Sequence, residues 1–258
     1  MQLPELPRAN VLGVGVSAIN MEQALGLFSW WLGNGARGYV CVTSVHGVME
    51  AQGDPDFRKI LNRSLLTTPD GMPTVWVGRL QGFRKMGRVF GPDLMNEVCR
   101  LSDGSGYRHF FYGGRPGVAE KLKSVMVSRF PRLNVVGTYT PPFGPLSKQE
   151  ETYLLQLVAE SKPDVFWVGL STPKQERFMA EYCHKLQTKI MVGVGAAFDL
   201  HTGSIKDAPH WMKKAGLQWL HRLVQEPSRL WRRYLVNNPQ FLWNVTLQLT
   251  RLSKYYLD

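Results

Sequence analysis

The chain has no run of about 18 apolar residues, so a membrane-spanning helix is not expected. Its first ten residues, Met1 to Asn10, carry acidic and proline residues without the apolar stretch of a secretory signal, and the expected location is the cytoplasm. Cysteine is scarce. Cys41, Cys99 and Cys183 are odd in number, widely spaced and without a C-x-x-C pair, so reduced, mostly buried thiols are expected rather than disulfides or metal ligands. The six histidines form no H-E-x-x-H pair, and His109 lies in an apolar segment, so each is expected to be structural. The dinucleotide fingerprint is incomplete: Gly13-Val14-Gly15 runs into Val16-Ser17-Ala18 without a third glycine, which ranks a dinucleotide oxidoreductase low. No internal repeat or low-complexity tract is visible.

What is present fits 258 residues of α/β protein, as one large domain or a domain with an appendage. The first 205 residues alternate short β-like runs with helical patterns, the signature of a Rossmann-like parallel sheet with helices on both faces. Expected strands are 11–16, 39–43, 65–68, 109–112, 134–138, 165–169 and 190–194. Helices are expected at 21–32, 57–62, 93–101, 118–129, 148–161 and 173–186. After Gly203 the pattern is helical to the end. It divides the chain into an α/β core (1–205) and a helical appendage (206–258), opened by Ala208-Pro209 with a second helix after Pro227. Segment 241–257 is apolar and basic enough to lie against the core or a lipid surface.

The appendage holds nine Lys/Arg against three Asp/Glu, +6 of the chain's net +11, and four of its eight tryptophans. Arg222, Arg229 and Arg233 share one helical face if the helix continues through Glu226-Pro227, with Arg232 beside them. Such a surface suits a membrane, a nucleic acid or a substrate phosphate.

In open α/β sheets ligands bind beyond the carboxyl ends of strands, so the turns there are the candidates. Asp70 follows a strand in Thr67-Thr68-Pro69-Asp70-Gly71-Met72-Pro73, either as a favoured turn residue or as a carboxylate placed to take a proton from a hydroxyl. Gly113-Gly114-Arg115-Pro116-Gly117 joins a strand to a helix and offers N–H groups to a phosphate. Gly193-Val194-Gly195-Ala196-Ala197-Phe198-Asp199 repeats that design, with Asp199 available to a ribose or base. Lys174 and Gln175 open a helix where they can touch a sugar nucleotide, and Glu176 there complements the helix dipole. Asp54-Pro55-Asp56 looks like a metal-binding D-x-D but reads better as a helix start, and with no other carboxylate cluster no metal is expected.

Taken in order, seven stretches resemble the WecG/TagA/CpsF family of bacterial glycosyltransferases (glycosyltransferase family 26). They are Pro69–Pro73, Gly91-Pro92-Asp93-Leu94, Gly113–Gly117, Gly169-Leu170-Ser171-Thr172-Pro173-Lys174-Gln175-Glu176, Gly193–Asp199, Ala208-Pro209-His210-Trp211-Met212 and Arg222–Arg229. The resemblance implies metal-independent, inverting transfer from a UDP-sugar to a polyprenyl-pyrophosphate-linked saccharide. The setting it implies is the cytoplasmic membrane face, for teichoic acid, common antigen or exopolysaccharide, by a peripheral protein that self-associates. It matches Asp70 to the general base, Thr43 and Gln175 to the sugar pocket, and Asp199 to a nucleotide contact, beside the glycines Gly113, Gly114 and Gly195. Arg222, Arg229 and Arg232 match appendage arginines that meet diphosphate. At two places the chain departs from the family pattern. Thr-x-Asn is replaced by Thr43-Ser44-Val45-His46, with His46 the candidate stand-in, and Gly-Leu-Glu-Trp by Gly216-Leu217-Gln218-Trp219. N-acetylmannosamine, glucose and a uronic acid therefore remain open as donor sugars. Two other readings, a basic nucleic-acid-binding protein and an inactive membrane-associated scaffold, rest on the tail alone; no nucleic-acid motif is present.

Overall fold

The computed structural model describes residues 6–257, so the reading of Met1–Asn10 as free of a signal falls partly outside the described residues. In chain order come β1 (Arg8–Val11), β2 (Val14–Ser17), α1 (Met21–Asn34), β3 (Gly38–Thr43), α2 (Val45–Gly53), α3 (Pro55–Arg63), β4 (Leu66–Pro69) and α4 (Met72–Leu80). There follow α5 (Gly91–Ser102), β5 (Arg108–Gly113), α6 (Val118–Arg129), β6 (Asn134–Tyr139), α7 (Lys148–Ser161), β7 (Val165–Gly169), α8 (Lys174–Tyr182), β8 (Ile190–Gly193) and α9 (Ala197–His201). The tail is α10 (His210–Lys214), α11 (Gln218–Gln225), α12 (Pro227–Leu235) and α13 (Asn237–Leu249).

Among the described residues six strands form a parallel sheet in the order β4-β3-β8-β7-β5-β6, with helices around it and further helices after it. This is the α/β class the alternation predicts. The chain divides into two compact units, one of residues 6–21, Val42–Phe90 and 206–257, the other of Glu22–Cys41 and Gly91–Ile205. Strand β3 contributes to both.

In the second unit β7 (VFWVG) and β8 (IMVG) are apolar almost throughout, as strands covered on both faces must be. The parallel register sets Phe110 beside Phe166, and their rings stack at 5.0 Å. Ser147 caps α7 through a reciprocal pair with Glu150, which accounts for a helix whose bounds the periodicity gives to the residue. All three cysteines are buried.

His109 is buried in β5, and its Nδ1 accepts a hydrogen bond from Trp167 Nε1 (3.0 Å). Burial lowers its pKa to about 4, against a smaller opposite pull from Asp164.

In the first unit the expected strand 11–16 is instead a hairpin. Leu12 and Gly13 adopt left-handed φ values of 54° and 81° and reverse the chain, while Asn10 Oδ1 accepts from the Gly13 N–H at 2.8 Å. The tail's last helix is tied to this hairpin by Gln248, whose Oε1 accepts from the Leu12 N–H (3.0 Å) and whose Nε2 donates to the Asn10 carbonyl (2.9 Å). Asp54 caps α3 by accepting from the Phe57 N–H (2.9 Å), the helix start expected of it.

Periodicity missed α2, α4 and α9, which are short and begin at strand ends. In α4, Pro73 occupies the first turn, where no N–H is needed, so a proline that reads as loop is a helix opener. Helix α8 ends at Tyr182, not at 186. The second tail helix starts at Pro227 as expected: Glu226 has φ −134° and ψ 57°, so α11 does not run on into α12.

Two stability effects follow for the second unit. Because the folded His109 pKa lies below the ordinary 6.5, the unfolded chain takes up the extra proton first. Stability is therefore full above pH 6.5 and falls as pH drops toward 4, by on the order of 3 kcal/mol. His109→Gln should flatten that acid slope in thermal melts taken from pH 7 to pH 4. Phe166→Ala should cost about 3–5 kcal/mol in urea denaturation at neutral pH.

Candidate active site

In the first unit two neighbouring strand ends are tied together. The Asp70 N–H donates to the Thr43 carbonyl at 3.1 Å, which brings Thr43 and Asp70 into one small region at the carboxyl ends of β3 and β4. Arg88 Nε donates to the Asp70 carbonyl (2.8 Å), and its guanidinium lies 4.2 Å from the centre of the Phe90 ring. The same guanidinium reaches Gln218 Oε1 in the tail. The Asp70 backbone is thus held from both sides while its side chain stays half-exposed. Thr43 is 2% exposed, and its Oγ1 has no hydrogen-bond partner among the described residues. An unpaired buried hydroxyl costs about 1–3 kcal/mol, which a ligand oxygen would recover.

Arginines of the tail gather around Glu226. The break at Glu226 lets its Oε2 accept from both Arg222 Nη2 (2.8 Å) and Arg229 Nη2 (2.9 Å). Burial pushes the Arg233 guanidinium below its usual range; Tyr234 and Asp70 act against that, Arg222 and Arg229 with it. Those influences put Arg222, Arg229, Arg233 and Asp70 within one electrostatic neighbourhood. The Nε atoms of Arg222 and Arg233 are buried without partners. Arg222 and Arg233 thus keep buried donor nitrogens of the kind an anion satisfies. Arg232 is exposed, whereas Arg233 is partly buried. The partly buried arginine is thus Arg233, which helical spacing sets on a face with Arg222 and Arg229, while Arg232, matched by resemblance, is exposed.

His46 lies in the first turn of α2, with Nδ1 3.3 Å from Asn237 Nδ2 and 3.5 Å from Glu50 Oε1. It borders the tail through Asn237.

In the second unit the glycine turns meet. Gly113 and Gly114 have φ values of 117° and 79°, and the Gly114 N–H donates to the Gly169 carbonyl (3.0 Å). A Cβ on Gly113 would lie 2.7 Å from that oxygen, so only glycine fits between the ends of β5 and β7. Gln175 is 2% exposed, its Oε1 accepts from the Gly195 N–H (2.9 Å), and its Nε2 donates to Glu176 Oε1 (3.0 Å). Both ends of the amide are engaged, so Gln175 fixes the shape of the Gly195 turn. Arg115 Nη2 stands 3.6 Å from Asp199 Oδ1, an ion pair that joins the Gly113–Gly117 turn to α9.

Sequence reasoning missed Arg88, whose role depends on a hydrogen bond to a turn 18 residues back. It named Arg233 on the helical face but assigned Arg232. Asp54 caps α3 and Asp56 pairs with Lys59 (3.1 Å), so both aspartates of the D-x-D have work at the helix start. Among the described residues no group of three His, Cys, Asp or Glu is placed to hold a metal ion.

Comparison with known proteins gives this arrangement its context. Residues 9–255 match the model of the Glycosyl transferase WecG/TagA/CpsF family. The chain is 31% identical over 203 residues to an N-acetylglucosaminyldiphosphoundecaprenol N-acetyl-beta-D-mannosaminyltransferase of Bacillus subtilis (strain 168), covering 79% of this chain and 77% of that one. A protein of the same description from Bacillus spizizenii (strain ATCC 23059 / NRRL B-14472 / W23) is 32% identical over 186 residues, 72% of this chain and 70% of the relative. A match that runs through the tail as well as the sheet makes this chain a member of the WecG/TagA/CpsF family, and so a glycosyltransferase.

Proposed function

We propose that the enzyme moves a sugar from a UDP-sugar to a saccharide carried on a polyprenyl diphosphate, inverting the anomeric carbon without a metal ion, in bacterial cell-surface polysaccharide assembly. The observation that carries this reading is the Asp70 turn with Arg222, Arg229 and Arg233 drawn around it and guanidinium nitrogens left unpaired. The relatives' names supply the acceptor class, a sugar on diphosphoundecaprenol, and a donor-derived N-acetylmannosaminyl group. For this chain the donor stays at the level of a UDP-sugar, because the asparagine of Thr-x-Asn is missing after Thr43-Ser44, with His46 only the candidate stand-in.

In this mechanism Asp70 takes the proton of the acceptor hydroxyl as its oxygen attacks the anomeric carbon. The bond from that carbon to the donor diphosphate breaks, and its electron pair leaves with UDP. The arginines hold diphosphate charge through bidentate, permanently charged contacts, the task a metal ion performs in other transferases. Thr43 offers its free hydroxyl to the sugar. Asp199 and the Gly113–Gly114 and Gly195 turns bind the nucleotide, with Gln175 positioning the last of these.

The lipid acceptor fits a peripheral location on the inner membrane face. Among the described residues no helix is long and apolar enough to cross a membrane. Trp231, Leu235, Leu242 and Trp243 are 51–65% exposed on α12 and α13, with Arg229 and Arg232 exposed near them, a pattern suited to an anionic lipid surface.

With UDP-sugars and a short-chain lipid diphosphate acceptor, Asp70→Asn should lower kcat by roughly 100- to 10,000-fold; transfer at the wild-type rate would remove Asp70 from the base role. EDTA should leave the rate unchanged, and a loss restored by a divalent cation would overturn the metal-free reaction. Arg233→Lys, which keeps charge but not the planar fork, should cost roughly tenfold or more in kcat/KM. Arg232→Lys should cost little; the reverse order would favour Arg232 as the diphosphate ligand. Trp231→Ser combined with Trp243→Ser should release the enzyme from anionic vesicles in sedimentation without lowering transfer to a water-soluble acceptor.

A further inference from the structure

Phe143 is 100% exposed, an unusual position for a phenyl ring. It lies in Thr140-Pro141-Pro142-Phe143-Gly144-Pro145, the connection that leaves the carboxyl end of β6. Three prolines restrict this backbone, and Gly144 takes a φ of 122°. The ring is therefore presented by a stiff loop.

Two contacts tie this ring to the nucleotide-side turns of the second unit. Thr140 Oγ1 donates to the Gly113 carbonyl (3.3 Å), which anchors the loop to the glycine turn after β5. Lys174 Nζ stands 4.7 Å from the centre of the Phe143 ring. Lys174 opens α8 directly before Gln175, the residue that holds Gly195. A flat apolar face with an ammonium beside it, hung between two phosphate-type turns, matches a nucleotide: the face suits a base and the ammonium a phosphate.

We propose that Phe143 is the stacking platform for the base of the donor nucleotide, with the Lys174 ammonium beside the ring to meet the phosphates. This rests on the nucleotide-sugar donor proposed above. Stacking is tolerant of base identity, so the platform contributes affinity, and choice among bases falls to polar groups in the turns.

Calorimetric titration of the full chain with UDP and with inorganic pyrophosphate tests the idea. Because the Phe143 side chain is fully exposed, its replacement should leave the fold intact. Wild type should bind UDP more tightly than pyrophosphate. Phe143→Ala should weaken UDP roughly tenfold and leave pyrophosphate unchanged, while Phe143→Trp should stay within about twofold of wild type for both. Lys174→Gln should weaken UDP and pyrophosphate together. If wild type binds UDP and Phe143→Ala binds it equally well, the platform is wrong and the donor reading stands. A wild type that binds no UDP at all overturns the donor reading and the platform with it.

Discussion

A parallel strand buried on both faces has no free surface for a ligand, and its own polar groups are spent on its neighbours. Chemistry in such a sheet is pushed to the residue or two that follow each strand, and this constraint organises the whole enzyme. Thr43 ends β3, Asp70 follows β4, Gly113 ends β5, and the Gly193–Asp199 stretch follows β8. The glycines at these ends answer to packing first. Gly113 must be glycine because the Gly169 carbonyl leaves no room for a Cβ.

In the first unit the turn that carries Asp70 is fixed through its backbone. The Asp70 backbone donates to Thr43 and accepts from Arg88, so the turn is rigid while the side chain keeps its contact with solvent. The tail adds charge to this turn. Bringing Arg233 into a partly buried position beside Arg222 and Arg229 is unfavourable by itself, because desolvation and like-charge repulsion act together. An anion bound there, as proposed above, would offset that cost. The diphosphate of a glycosyl donor or lipid acceptor is one whose charge and geometry suit arginine forks.

Much of the fold was legible because its signals are local. Helices α6 and α7 and strand β7 fall at the residues periodicity gives, since an apolar stripe or run bounded by turn residues needs no knowledge of distant chain. The short helices were illegible for the converse reason: a helix such as α4 carries a glycine and a proline within nine residues and is stabilised mainly by what it packs against. The hairpin at Leu12-Gly13 was hidden because valines on both sides of a tight turn read as one strand.

The sequence by itself determined the α/β class, the order of its turns and the identity of Asp70 as the carboxylate at a strand end. These depend on spacing along the chain. Only the tertiary structure decided that Arg233 is partly buried while Arg232 is exposed, because burial depends on what packs against the helix and not on spacing along it. It also decided that Gln175 holds a turn from inside and that Arg88 braces Asp70. Those assignments rest on hydrogen bonds between residues 18 to 20 positions apart, a distance over which side-chain type carries no information about partner.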